Sequence, residues 1–229
     1  MVFPGAIALV VVFGLALVVY ARSTIDPAEA VAPGIADHWH QAYGLFACGE
    51  TLPIMQSQDD PNGIHTHGDG VIHVHPGAAQ DVARTGDDAT MEVFLNAAGA
   101  SISDDRLDLP PDEGYDPESY VEGEDKCGDE DGIVQVAYWF SAEATDEDPE
   151  IITEDLANIQ FNGDGAAYTI AFAPEGADIP PPDTAAQLPE LGAIDGGESP
   201  TPSTVAPDAQ SAPTTTPASD STTAPTTEP

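Results

Sequence analysis

Residues 62–76 read NGIHTHGDGVIHVHP, and this stretch decides the fold that the sequence predicts. In its two short runs, residues 64–67 and 71–75, histidine alternates with apolar residues or threonine around the turn Gly68-Asp69-Gly70. Alternation with a period of two is the pattern of a β-strand. A three-residue loop that ends in glycine is a favoured hairpin connection, because glycine adopts the left-handed conformation without steric cost. The stretch therefore predicts a β-hairpin.

The length of that turn decides which histidines share a face of the hairpin. With three loop residues, His65 lies opposite His73, and His67 and His75 project to the same side. A two-residue turn would shift the register by one and send His73 and His75 to the opposite side. The three-residue turn predicts a face with four histidines.

A third histidine pair precedes the hairpin in HWHQAYGLFAC, residues 38–48. This run contains aromatic residues and no proline, which predicts a strand with His38 and His40 on the face of Phe46, and Tyr43 and Leu45 on the other.

Further elements are predicted after the hairpin. Residues 87–98 read DDATMEVFLNAA, which predicts a helix that ends at Gly99. Residues 133–140, IVQVAYWF, predict a buried strand, and residues 159–161 and 167–172 around NGDG predict a second hairpin. Together these elements predict an α+β fold with a mainly antiparallel sheet and one helix.

All six histidines of the chain lie in three His-x-His pairs. Such a pair on a strand places two imidazoles on one face about 6 to 7 Å apart, close enough to bind one ion. Imidazole ligands without thiolates favour zinc or copper. The predicted metal ligands are His38, His40, His65, His67, His73 and His75, with Asp37, Asp69 and Glu50 as carboxylates that ligate the ion or orient an imidazole.

Two other functions are open for this cluster. Three ligands and a metal-bound water would make a zinc-type metalloenzyme, with Glu50 or Asp37 as base. The histidines could instead form a structural or pH-sensing cluster of a cell-envelope interaction module. No cupin, blue-copper, HExxH or GxSxG spacing occurs, so no catalytic residue is assigned, and a non-catalytic role is favoured over an enzyme.

The two cysteines, Cys48 and Cys127, predict a disulfide if the protein is exported. In a reducing cytosol Cys48 could instead be a metal ligand.

The charge of the chain excludes nucleic acid as a partner. There are 41 Asp plus Glu against 4 Lys plus Arg, and the formal net charge is -37. Phosphate recognition needs a basic surface, which four cations cannot form. Residues 112–131 are strongly acidic but lack the ligand positions of an EF-hand, so they predict a solvated loop.

Both ends of the chain differ from its centre. Residues 3–20 are uncharged and apolar and would span about 27 Å as a helix. They predict a transmembrane anchor over residues 1–22, with a cleaved signal peptide as the alternative. A linker over 23–35, an extracytoplasmic domain over 36–178 and a disordered Pro/Thr/Ser/Ala-rich tail over 179–229 follow. Arg22 alone would favour the opposite orientation.

DHWHQAYGLFACGE, residues 37–50, and the hairpin stretch resemble a family of uncharacterised exported or membrane-anchored proteins of actinobacterial type. The similarity covers mainly residues 37–76 and is weaker around FNGDGAAYTIAF, residues 161–172. It implies a recurring domain but no established activity. The favoured function is therefore a single-pass cell-membrane protein whose extracytoplasmic domain binds a transition metal for capture, buffering or delivery. Its protein partner is unknown.

Overall fold

A computed structural model describes residue 14 and residues 31–57 and 59–195. Apart from Gly14, the predicted anchor lies outside these residues, as do residues 23–30 of the predicted linker and residues 196–229 of the tail. Among the described residues, no helix combines the length and the apolar character needed to cross a membrane.

A seven-stranded sheet organises the fold, in the order β11-β10-β12-β1-β4-β3, with β2 paired to the end of β1. All of its pairings are antiparallel except that of β1 with β12. The α+β class with a mainly antiparallel sheet is therefore confirmed. The strands are β1 (Trp39–Ala47), β2 (Glu50–Leu52), β3 (Ile64–His65), β4 (Val71–Val74), β10 (Ile133–Trp139), β11 (Glu150–Ile152) and β12 (Ala167–Ala173).

Two smaller sheets and two helices complete the described fold. Strands β5, β6 and β7 form one sheet, and β8 and β9 form the other. Their bounds are β5 (Ser101–Ser103), β6 (Arg106–Asp108), β7 (Ser119–Val121), β8 (Lys126–Cys127) and β9 (Glu130–Asp131). Helix α1 spans Met91–Ala97 and helix α2 spans Leu188–Asp195, so the structure has one helix more than predicted.

The sheet buries side chains on both faces because it lies between two layers. Tyr43 and Leu45 of β1 belong to the larger core, which also contains Phe94 of α1. Ala42 and Phe46 project to the other face, into a smaller cluster that includes Leu188 of α2. The predicted alternation of β1 is thus confirmed, and the face of Ala42 is also the face of His38 and His40.

Two predicted elements lie close to the observed ones. The helix begins at Met91 rather than at residue 87, because residues 86–88 form a 3₁₀ turn. Gly99, with φ of +80°, follows its last residues as predicted. The strand predicted over residues 133–140 is confirmed as β10.

The predicted second hairpin is wrong. Residues 159–161 do not form a strand, and Gln160 makes only an isolated bridge with Thr90. Strand β12 pairs instead with β10 on one side and with β1 on the other. All seven of its residues are buried, and a buried strand needs hydrogen-bond partners on both edges.

The predicted start of the tail at residue 179 is too early. Ile179, Ala185 and Leu188 are buried in the smaller cluster, so the fold continues through α2. This apolar layer covers the same sheet face that carries the histidines.

The disulfide Cys48–Cys127 is confirmed. It connects the residue after β1 to β8 across a sequence separation of 79. In the chain-entropy account, closing a loop of that length stabilises the fold by roughly 4 kcal/mol. Cys48 is therefore not a thiolate ligand.

Candidate metal centre

The register of the hairpin brings histidines from three adjacent strands together. His65 of β3 lies opposite His73 of β4, as predicted, and His73 lies opposite His40 of β1. The ordered loop is longer than predicted, because β3 ends at His65 and β4 begins at Val71. Gly70 supplies the expected positive φ of +78°.

The six imidazoles form one continuous group at the β1-β4-β3 edge of the sheet. Neighbouring ring centroids lie between 4.4 and 6.4 Å apart. Exposure varies within the group: His65 and His73 are buried, His40 and His75 are half-buried, and His38 and His67 are exposed. The cluster therefore extends from the protein interior to solvent.

Three members of the group are arranged closely enough to hold one metal ion. A ring nitrogen from each of His65, His67 and His75 lies within 4.8 Å of the other two. The Nε2 atoms of His65 and His67 are 2.9 Å apart. At that separation one ring donates a proton to the other, or both lone pairs point at a common cation.

The Asp60 carboxylate lies beside Nδ1 of two of these rings. Its Oδ1 lies 3.2 Å from Nδ1 of His65, and its Oδ2 lies 3.9 Å from Nδ1 of His75. Oδ1 also accepts a 2.7 Å hydrogen bond from the Gly63 N–H, which closes the turn before β3. A carboxylate at Nδ1 leaves Nε2 available to an ion, which is the usual arrangement behind metal-binding histidines.

Asp69 plays a similar role for His73. Its Oδ2 lies 3.1 Å from Nε2 of His73, and its Oδ1 accepts a hydrogen bond from the Val71 N–H. Burial disfavours the charged form of Asp69, but the bonds from His73 and Val71 outweigh burial and lower its pKa. Asp69 is therefore ionised at neutral pH and faces an imidazole, as the sequence suggested.

Burial favours the neutral form of the His65 imidazole. It lowers the pKa of His65 to about 4; the Asp60 charge opposes this shift, and the neighbouring imidazoles add to it. A neutral imidazole has a lone pair for a metal, whereas an imidazolium does not. Protons therefore compete little for His65 at neutral pH.

Two of the predicted carboxylates have other positions. Glu50 pairs with Ala47 at the far end of β1, roughly 23 Å along the strand from His40. It is exposed and does not approach the histidines. Asp37 accepts a 2.7 Å hydrogen bond from the Gly34 N–H in the turn before β1.

Asp60 and Asp164 were missed from sequence. Asp60 begins the turn sequence Asp-Pro-Asn-Gly, whose geometry returns its carboxylate to the start of β3. That signal was available. Asp164 accepts a 2.7 Å hydrogen bond from the backbone N–H of His40, a contact between distant segments that no local pattern indicates.

Comparisons with protein-family models, with curated proteins and with solved structures found no match to this chain. The resemblance of residues 37–76 to a family of exported or membrane-anchored proteins therefore stays a prediction. What the structure does show is a histidine group that can hold a metal ion.

Proposed function

We propose that this protein is a membrane-anchored, extracytoplasmic protein that binds a divalent transition metal, zinc or copper, for capture, buffering or delivery. One observation carries the proposal: three imidazole nitrogens converge within 4.8 Å while the Asp60 carboxylate lies beside Nδ1 of two of those rings. A packed core does not require this arrangement, since a buried imidazole needs only a hydrogen-bond partner.

The donor set selects the class of metal. Calcium and magnesium prefer oxygen ligands, whereas the converging atoms in this site are nitrogens. No thioether or thiolate belongs to the trio, which favours Zn²⁺ or Cu²⁺ over Cu⁺. Asp60 supplies one negative charge beside the ion, and the net charge of -37 attracts cations to the protein as a whole.

The position of the site supports exchange of the ion with solvent. His67 is exposed and His65 is buried, so one ligand can meet an incoming ion before the buried one completes the site. This gradient suits loading and release.

Two features support a location outside the cytoplasm. The disulfide Cys48–Cys127 is the kind of bond that persists in oxidising compartments. The apolar residues 3–20 suit an anchor or an export signal.

Metal analysis of the purified chain tests the proposal. After saturation with Zn²⁺ or Cu²⁺ and washing, we expect at least about one equivalent to remain bound, and fewer than about 0.3 equivalents would refute metal binding. The double variant H65A/H67A should lose this ion while keeping its circular dichroism spectrum. E50Q is the matched control, since it changes a residue at the other end of β1 and should bind as the wild type does.

The same samples separate binding from catalysis. Hydrolytic activity that requires zinc and disappears in H65A/H67A would favour the metalloenzyme. Metal binding without such activity supports capture or delivery.

A further inference from the structure

We propose that the sheet holds a second ion, bound by His38, His40 and His73 beside the first. This inference rests on the proposed function and extends it, because it assigns the three histidines that the first ion does not use. A protein that holds two neighbouring ions can accept one before it releases the other.

The three rings follow one another in a row, with His38 directly before β1, His40 in β1 and His73 in β4. The ring centroids of His38 and His40 lie 4.8 Å apart, and those of His40 and His73 lie 5.0 Å apart. His40 and His73 face each other directly across the two strands. Strand pairing therefore holds two of the three ligands in place, and His38 precedes His40 by two residues, on the same face.

Each histidine trio has its own carboxylate. Asp60 faces rings of the first trio, and Asp69 faces Nε2 of His73 in the second at 3.1 Å. With Nε2 directed at Asp69, the Nδ1 atom of His73 is the one that can turn to an ion. The repetition of a carboxylate behind an imidazole indicates a second metal ligand set.

Helix α2 packs against the His40 ring. A Cβ atom added at Gly192 would lie 2.8 Å from Nδ1 of His40, so the helix packs directly against that edge of the ring. Nε2 is the nitrogen on the far edge. The backbone of His40 is held in turn by Asp164, through a 2.7 Å hydrogen bond.

The charges near the cluster suit two dications. Asp60 and Asp69 lie beside imidazoles of the cluster, and Asp164 accepts a hydrogen bond from the backbone N–H of His40. Three carboxylates would leave two divalent ions with a local excess of about one positive charge, which the strongly acidic chain offsets.

The second position is looser than the first. Among the described residues, only His65, His67 and His75 have ring nitrogens that all lie within 4.8 Å of one another. His38, His40 and His73 must rotate to close on an ion, which lowers affinity. His75 lies between the two trios, 4.7 Å from the His65 ring and 5.1 Å from the His38 ring.

Titration of the full chain with Cu²⁺ tests the inference. We expect the chain to bind two equivalents, with a dissociation constant for the second that is at least about tenfold larger than for the first. H38A/H40A should bind one equivalent with the affinity of the first step, H65A/H67A should lose the tighter step, and E50Q should keep both. Saturation of the wild type at one equivalent would overturn the second site and leave the proposed function standing, whereas no binding would overturn both. Two equivalents in H38A/H40A would also overturn the assignment.

Electron paramagnetic resonance of the wild type gives a second test, which does not depend on any substituted protein. With one equivalent of Cu²⁺ the spectrum should be that of an isolated ion. With two equivalents we expect dipolar broadening and a half-field signal, because rings of the two trios are neighbours and the two ions would lie close together. Two equivalents with spectra that stay uncoupled would overturn the placement of the second ion beside the first.

Discussion

Replacing Asp60 with asparagine should weaken metal binding without unfolding the hairpin. Asp60 Oδ1 accepts a hydrogen bond from the Gly63 N–H, and the amide oxygen of asparagine can keep that bond. The same oxygen lies 3.2 Å from Nδ1 of His65, so what is lost there is the negative charge, and at Nδ1 of His75, 3.9 Å from Oδ2, the charged oxygen itself. The amide nitrogen would occupy the Oδ2 position, 3.9 Å from Nδ1 of His75, so no negatively charged oxygen would remain beside that ring.

The size of the effect follows from these contacts. Loss of a carboxylate that orients a metal-binding histidine typically weakens affinity 10- to 100-fold, or about 1.4 to 2.7 kcal/mol. Asp60 also raises the pKa of His65, so its removal lowers proton competition. That gain is negligible at pH 7.5, because the pKa of His65 is already about 4.

Competition titration of Zn²⁺ against a chromophoric chelator at pH 7.5 measures the change. D37N is the matched control: Asp37 accepts a backbone hydrogen bond of the same 2.7 Å length as Asp60 does, and both variants remove one negative charge. We expect D37N to bind within about twofold of the wild type. A D60N affinity within about threefold of the wild type, or an equal loss in D37N, would refute the role assigned to Asp60.

Three further predictions concern stability and packing. Burial lowers the pKa of His65 from 6.5 to about 4, so between these pH values the unfolded chain binds a proton that the folded chain does not. As the pH falls through that window, the metal-free protein should therefore lose roughly 3 kcal/mol of unfolding free energy relative to H65Q. Urea titrations in chelator at pH 7 and pH 4 measure this, and parallel curves for the two proteins would contradict it. The variant C48S/C127S should lose roughly 4 kcal/mol of unfolding free energy yet keep its metal stoichiometry, since the disulfide lies at the other end of β1 from the histidines. Loss of metal from the folded variant would show that the metal site depends on the disulfide. In G192V the new side chain would collide with His40, so the second Cu²⁺ step should weaken more than the first, and an equal change in both steps would place α2 outside the site.

Local patterns were sufficient for the hairpin and its register. Alternation places His65, His73 and His75 on one face, and Gly70 provides the turn conformation that keeps this parity. The disulfide could also be predicted, because two cysteines allow only one intramolecular pairing.

Contacts between distant segments explain the errors. Strand β12 reads like half of a local hairpin, but its partners are β10 and β1, and the sequence between residues 159 and 173 does not encode that choice. Residues 179–195 resemble the tail in composition, yet Ile179, Ala185 and Leu188 are buried against the sheet and bring this segment into the fold. The carboxylates beside the histidines depended on loop geometry, which favoured Asp60 over Glu50.

The residues proposed to hold the first ion lie close together in the chain, all within residues 60–75. A ligand set of such short span can retain part of its coordination after the rest of the protein unfolds, and binding to the unfolded chain reduces the stabilisation that a ligand gives. The first ion should therefore raise the melting temperature less than its affinity implies. An ion between β1 and β4 needs the assembled sheet, so for the same binding free energy it should raise the melting temperature more than the first ion does. Its release would then report the separation of β1 from β4.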